Sequence, residues 1–227
     1  MKANGLGKLV PSQMLVGGCV ASESKWLKFS SEWRRALDDE GVSVFHAKDF
    51  YHFRRQFEWY TKDGEKDLAR HESLRDRLAD IITSNVDEAI AFASEVSLKN
   101  GKVKLSYTDG ALRALHDCTK SMMRANERIH VIFARHPELS PWSIIRYFEK
   151  LDWDRRLAGC GVFEPDEVIP LQASDFVMHC VNKSWGSGVR TKSEERLAER
   201  FRKRDKSFSV QLGSTWDPQV ALGEPLS

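Results

Sequence analysis

The chain has 227 residues, of which 41% are hydrophobic and 30% are charged, a composition that is ordinary for a globular domain. A chain of this length can bury a sizeable core without disulfide or metal staples. The formal net charge of +2 excludes a strongly polycationic nucleic-acid coat, but it leaves room for a locally basic groove.

Export, membrane insertion and cysteine-based metal binding are all disfavoured by the sequence. Pro11, Ser12 and Gln13 interrupt the first apolar stretch, so a core strand is a better interpretation of this stretch than a secretion signal. No apolar run approaches the roughly 20 residues that span a bilayer. The cysteines form no CxxC pair and are expected to be free thiols in a reducing cytoplasm; they are Cys19, Cys118, Cys160 and Cys180.

Apolar periodicity predicts strands that alternate with helices along the chain. The predicted strands or extended segments are residues 13–21, 42–45, 89–97, 129–134 and 161–169. The predicted helices are one between Ser22 and Gly41, then residues 66–84, 107–127, one that starts at Ser140-Pro141, 171–185 and 192–206. Residues 50–64 are interpreted as a loop with one helical turn, and the last twenty residues as loosely ordered. This order predicts an α/β sheet with helices packed on its faces, and several α/β folds fit it equally well.

Two short segments carry the candidate site residues. In the segment 44–50, His46 and Asp49 are three residues apart, and His52 follows at the same interval. On a helix the three span about 120°, so all could approach one ion; the alternative is an exposed loop beside aromatic residues. In the segment 170–176, Asp175 falls in the first turn of a predicted helix, either as a metal-binding or water-positioning group or as a partner of the helix dipole.

Charged clusters elsewhere offer weaker candidates. Glu164, Asp166 and Glu167 form an acidic cluster that is either a metal site or a solvated turn. From Arg190 to Lys206 there are eight lysines or arginines against four acids. On a helix, Arg196, Arg200 and Lys203 share a face that could follow a phosphate backbone; the alternative is a solvated helix. Arg196, Arg200 and Lys203 are therefore the nucleic-acid-binding candidates.

The segments Val44–Phe50 and Pro170–Phe176, together with the glycine-bearing first strand and the strand at 129–133, resemble the bacterial and phage family catalogued as domain of unknown function 3800 (DUF3800). The resemblance covers roughly residues 13–185. It implies an RNase H-like mixed sheet flanked by helices, and cleavage of nucleic-acid phosphodiesters with Mg²⁺ or Mn²⁺. It implies that Asp175 and Asp49 are metal ligands and that His46 supports them as a catalytic residue.

The chain also departs from the pattern of this family. Members usually open with a strand that ends in Asp-Glu-Ser-Gly, and often carry an acid where this chain has Ala134. The first strand is therefore expected to be missing, which suggests a truncated or degenerate member, or a sheet completed by a protein partner. The sequence predicts an RNase H-like domain over 9–189, with a charged helix and tail over 190–227. Two functions stay open: a metal-dependent nuclease, and an inactive cytoplasmic protein that binds nucleic acid or protein.

Overall fold

The structure, a computed structural model, describes residues 12–62, 65–96, 98–99, 102–103, 112, 128–137, 139–150, 156–187 and 207–213. The described α-helices are α1 (Glu23–Asp38), α2 (Ala47–Tyr51), α3 (Leu68–Asn85), α4 (Pro141–Lys150) and α5 (Pro170–Ser187). The described strands are β1 (Ser12–Val20), β2 (Thr61–Lys62), β3 (Glu65–Lys66), β4 (Glu88–Val96), β5 (Leu98–Lys99), β6 (Lys102–Val103), β7 (Ile129–Ala134), β8 (Leu157–Phe163) and β9 (Ser207–Gly213).

The protein is therefore a mixed α/β protein, as its periodicity predicts. It divides into two compact units. The first unit comprises Gly17–Ile90 and Phe163–Ser209, and the second comprises Met1–Val16, Ala91–Val162 and Val210–Ser227. None of the helices in the described ranges is both long and apolar enough to cross a membrane.

Helices α1 and α3 pack against each other in the first unit. Phe29, Trp33 and Leu37 recur at spacings of four on α1 and are buried, because that spacing places them on one face. Asp67 caps α3 by accepting a hydrogen bond from the Arg70 N–H at 3.0 Å, which satisfies one of the free N–H groups of the first turn. The boundaries of α3 confirm the predicted helix to within two residues.

Buried aromatic rings form the centre of the first unit. Phe45 lies at the middle of this cluster, with ring centroids 5.5 Å from Trp33, 5.3 Å from Phe50, 6.0 Å from Phe57 and 5.7 Å from Phe176. All five side chains are at most 1% exposed. Tilted and edge-to-face pairs of this kind add about 0.5–1.5 kcal/mol each beyond the burial of their area. The cluster therefore joins α1, α2, α5 and the 3-10 helix Arg55–Tyr60.

Three of the described strands form a sheet in the order β1-β4-β9. Strands β1 and β4 confirm the predictions for residues 13–21 and 89–97. Strand β9 corrects the prediction of a loosely ordered tail as far as Gly213, and residues 214–227 lie outside the described part of the chain. Its sequence alternates Phe208, Val210 and Leu212 with polar residues, which is the period-two pattern of a strand. Its backbone is hydrogen-bonded to that of β4.

The second unit contains the two-stranded sheet β7-β8 and helix α4. Val131 of β7 packs with Ile144, Tyr147 and Phe148 of α4 in a buried cluster. Strand β7 confirms the prediction for residues 129–134, and α4 begins at Pro141, where proline's missing N–H costs nothing. The predicted helix 107–127 lies outside the described residues, except for Leu112, which is helical.

Three further predictions need correction or cannot be compared. The extended segment predicted at 161–169 is strand only as far as Phe163. It then turns, because the Glu164 carbonyl accepts hydrogen bonds from the N–H groups of Glu167 and Val168. The segment 42–45 contains no strand. The charged helix predicted at 192–206 lies outside the described residues.

Candidate functional site

The two segments singled out from the sequence lie against each other in the first unit. Gln172, on the first turn of α5, is 1% exposed. Its Oε1 accepts hydrogen bonds from Trp33 Nε1 at 2.9 Å and from the Phe45 N–H at 3.0 Å. Its Nε2 donates to the Pro165 carbonyl at 2.9 Å. One buried side chain therefore connects α1, the segment that leads into α2, and the turn that leads into α5.

Asp175 lies one turn further along α5, and not in the first turn as predicted; it makes the second connection. Its Oδ2 accepts a hydrogen bond from the Ala47 N–H at 2.8 Å. Ala47 is the first residue of α2, so the carboxylate satisfies an N–H group that has no partner within the helix. This contact places Asp175 beside His46, the N-cap residue of α2, and close to Asp49 on the same helix.

Burial changes the acidity of Asp175. Desolvation raises the pKa of this carboxyl above its ordinary value, and the nearby negative charge of Asp49 acts in the same direction. The hydrogen bond from Ala47 and the proximity of His46 oppose this rise. Because burial dominates, Asp175 holds its proton more firmly than a solvated aspartate.

These residues line one surface hollow of about 630 Å³. Its walls carry both signs of charge: His46, Lys48, Asp49, Arg54, Arg55, Glu58 and Asp175. The three residues predicted to form the catalytic site are therefore brought together. His52, the exposed C-cap residue of α2, is not part of this lining.

A tight turn carries the two arginines to the hollow. The Arg54 N–H donates to the Asp49 carbonyl at 2.9 Å, and both Phe53 and Arg55 have left-handed backbones, with φ of 55° and 52°. Such conformations are uncommon for residues other than glycine and persist only where the surroundings enforce them. Here the ring of Phe53 stacks on buried His71 at 4.5 Å, which anchors the turn.

Arg55 is paired with acids on both sides. Its Nε lies 3.5 Å from Asp49 Oδ2, and its side chain is 76% exposed, against 16% for Asp49. Its backbone N–H donates to Glu58 Oε1 at 3.2 Å. The Asp49 carboxylate thus has two charged neighbours, the exposed guanidinium of Arg55 and the carboxylate of Asp175.

By the chemistry of its side chains alone, the hollow offers donors for at most one hard divalent cation. Two carboxylates and an imidazole are the side chains available, and Mg²⁺ is commonly held by one or two carboxylates together with water and substrate phosphate. Nowhere in the described part of the chain do three His, Cys, Asp or Glu side chains converge closely enough to enclose a metal. A two-metal centre needs several bridging acids, and the described residues do not provide them.

The acidic cluster of Glu164, Asp166 and Glu167 is not part of the lining of this hollow. Glu164 and Glu167 are exposed and belong to the turn before α5, where Glu167 Oε2 accepts a hydrogen bond from the Glu164 N–H at 2.7 Å. Together with Asp166, they match the alternative of a solvated turn. Arg196, Arg200 and Lys203 lie outside the described residues.

Sequence reasoning missed three kinds of residue in this site. Gln172 belongs to a quoted motif, yet no rule of spacing indicates that a glutamine will bridge three segments. Arg54 and Arg55 fall in a stretch without periodicity, so their position depends on the turn at Phe53. Lys48 lies between the two predicted residues of α2, and its contribution of positive charge was a detectable signal.

The fold and the hollow define a mixed α/β protein with a surface site of mixed charge. No protein-family model matches the chain, and no match was found among curated proteins or among solved structures.

Proposed function

We propose that this chain is an RNase H-like protein related to DUF3800 that cleaves nucleic-acid phosphodiester bonds with one divalent cation. The observation that supports this proposal is the shared hollow of His46, Asp49 and Asp175 with Lys48 and the Arg54–Arg55 pair. Acids that suit a cation and basic groups that suit phosphate occur there side by side. A nuclease site needs both.

Each residue has a role that follows from its surroundings. Asp49 and Asp175 would hold Mg²⁺ or Mn²⁺, which supplies charge neutralisation at the phosphate and a more acidic bound water. His46 is half-buried in the wall of the hollow, and an imidazole there can accept or donate a proton at a reacting oxygen. Lys48, Arg54 and Arg55 would orient the phosphate.

A cleavage assay tests this proposal directly. Purified protein is incubated with single- and double-stranded DNA and RNA, with Mn²⁺, with Mg²⁺ or with a chelator. We expect cleavage that needs the metal and that falls about a hundredfold or more in Asp49→Asn and Asp175→Asn. The matched control is Asp38→Asn, the same change at an exposed residue of α1 away from the hollow. Equal cleavage by wild type and both site variants would overturn the proposal.

A second function, binding without catalysis, is favoured by a specific observation. Asp175 already accepts the Ala47 hydrogen bond, and its raised pKa makes it a weaker anionic ligand. In this alternative the hollow, with Arg196, Arg200 and Lys203, binds nucleic acid, or the sheet accepts a protein partner. Nucleic-acid binding that survives both chelator and Asp175→Asn, with no cleavage, would support this alternative.

A further inference from the structure

Arg55 occupies an unusual position in the hollow. It is the residue whose guanidinium faces Asp49, at 3.5 Å, and Asp49 is one of the two carboxylates assigned to the cation above. Its backbone is left-handed, with φ 52°, and it lies two residues after Phe53, which stacks on His71. Residues other than glycine with left-handed backbones cluster at active sites and ligand-binding sites.

The ion pair between Arg55 and Asp49 is weak enough for another anion to replace Asp49 as the partner of Arg55. Most of the arginine side chain is in solvent, and exposed pairs of this type contribute little free energy. A phosphate group offers arginine a stronger partner, because the planar guanidinium can donate two parallel hydrogen bonds to two phosphate oxygens. Phosphate in the hollow would therefore compete with Asp49 for Arg55.

We propose that Arg55 is a phosphate-binding residue that doubles as the counter-ion of Asp49, so that phosphate and a divalent cation bind to the hollow cooperatively. Without phosphate, the guanidinium neutralises Asp49 and opposes a cation there. When phosphate binds the guanidinium, the Asp49 carboxylate loses its ion pair and can bind the cation. This inference rests on the proposed function, since it assumes that Asp49 is a ligand of the cation.

Such coupling must be reciprocal. If phosphate raises the affinity for the cation by some factor, the cation raises the affinity for phosphate by the same factor. The free energy of the ion pair between Arg55 and Asp49 limits how much phosphate can change the affinity for the cation. For an exposed pair, we expect a factor of about two to five.

The test measures Mn²⁺ binding to the full chain by the electron paramagnetic resonance signal of free Mn²⁺, with and without inorganic phosphate. A protein-free blank corrects for complexes between Mn²⁺ and phosphate. Wild type is compared with Arg55→Gln, which keeps the Cβ and a polar side chain but removes the charge. Arg34→Gln is the matched control, because Arg34 is an exposed arginine of α1 outside the lining of the hollow.

We expect Arg55→Gln to bind Mn²⁺ about two- to fivefold more tightly than wild type without phosphate. Phosphate should tighten Mn²⁺ binding to wild type and to Arg34→Gln, but not to Arg55→Gln. Equal Mn²⁺ affinities of wild type and Arg55→Gln, with the same response to phosphate, would overturn the role of Arg55 and leave the proposed function standing. Failure of wild type to bind Mn²⁺ in either condition would overturn both.

A second variant distinguishes loss of the arginine's function from a folding defect in Arg55→Gln. Arg55→Lys keeps the charge but loses the planar fork, so we expect it to retain the weak Mn²⁺ binding of wild type and to respond less to phosphate. A full phosphate response in Arg55→Lys would contradict the bidentate contact. Circular dichroism melting curves of all variants establish that the compared proteins are folded.

Discussion

The Asp175 carboxylate accepts a hydrogen bond from the backbone N–H of Ala47, with 2.8 Å between Oδ2 and N. This contact spans 128 residues of sequence and joins the two segments that carry the family resemblance. Asp175 therefore has a structural role beside the cation-binding role proposed for it. One oxygen is engaged by the first turn of α2, while the group as a whole belongs to the wall of the hollow.

Two substitutions of Asp175 should separate the contribution of its hydrogen bond to stability from the contribution of its charge. Asparagine keeps an acceptor oxygen for Ala47, whereas alanine leaves that N–H without its partner. We expect Asp175→Ala to be about 1 kcal/mol less stable than Asp175→Asn. Urea denaturation at neutral pH measures the difference, and equal stabilities would show that water replaces the carboxylate at no cost.

The pH dependence of the Asp175→Asn variant has a definite sign. Because the folded pKa of Asp175 lies above its ordinary value of 3.8, the folded state holds more of this proton than the unfolded state between the two values. The contribution of Asp175 to the free energy of unfolding therefore falls as pH rises through that window. Relative to wild type, Asp175→Asn should gain stability over the same window and then level off. A relative loss would mean that the charged form is the stabilised one.

Gln172 should be among the most sensitive buried polar positions of the first unit. Gln172→Ala leaves Trp33 Nε1 and the Phe45 N–H without an acceptor in a dry environment, so we expect a loss of about 2–4 kcal/mol. Gln56→Ala is the matched control: Gln56 Oε1 also accepts two hydrogen bonds, from the N–H and the hydroxyl of Ser43, but at an exposed site. There water replaces the lost oxygen, and a loss under about 1 kcal/mol is expected. Similar losses at both sites, measured by urea denaturation, would contradict this account.

The arginine pair of the hollow should set part of the salt dependence of nucleic-acid binding. Each phosphate neutralised contributes roughly 0.7–0.9 to the slope of log affinity against log salt. For Arg54→Gln combined with Arg55→Gln, we expect a slope shallower by roughly 1.5. Fluorescence anisotropy over a range of salt concentrations measures it, with Arg34→Gln as control. An unchanged slope in the double variant would place the phosphate contacts elsewhere.

We expect the Cys19 thiol to react slowly with alkylating reagents in the folded protein. Cys19 as a residue is only partly buried, but desolvation of its thiol raises the pKa to about 12, against an ordinary value of 9.0, and the hydrogen bond with Ser174 acts in the opposite direction. Because the thiolate is the reactive form, alkylation of Cys19 near pH 8 should be slower by about a hundredfold or more in the native protein than in urea. Mass spectrometry of iodoacetamide-treated peptides gives both rates. Comparable rates would show that the thiol is accessible.

Several local elements were predictable from the sequence because their signals are local. Helix α1 follows from Phe29, Trp33 and Leu37, whose spacing leaves only one face to bury. The strands β1 and β7 follow from continuous apolar runs. Strand β9 was equally predictable from its alternation at Phe208, Val210 and Leu212, and it was missed because the surrounding residues are polar.

The sequence by itself determined an α/β protein and its candidates His46, Asp49 and Asp175, because helical periodicity, strand alternation and motif resemblance are properties of neighbouring residues. Only the tertiary structure decided that the three share a hollow with Arg54 and Arg55. That outcome depends on the bonds from Gln172 and Asp175 to residues more than a hundred positions away. It also depends on a left-handed turn that packing, and not local preference, holds in place. Such long-range contacts leave no periodic trace in a single sequence.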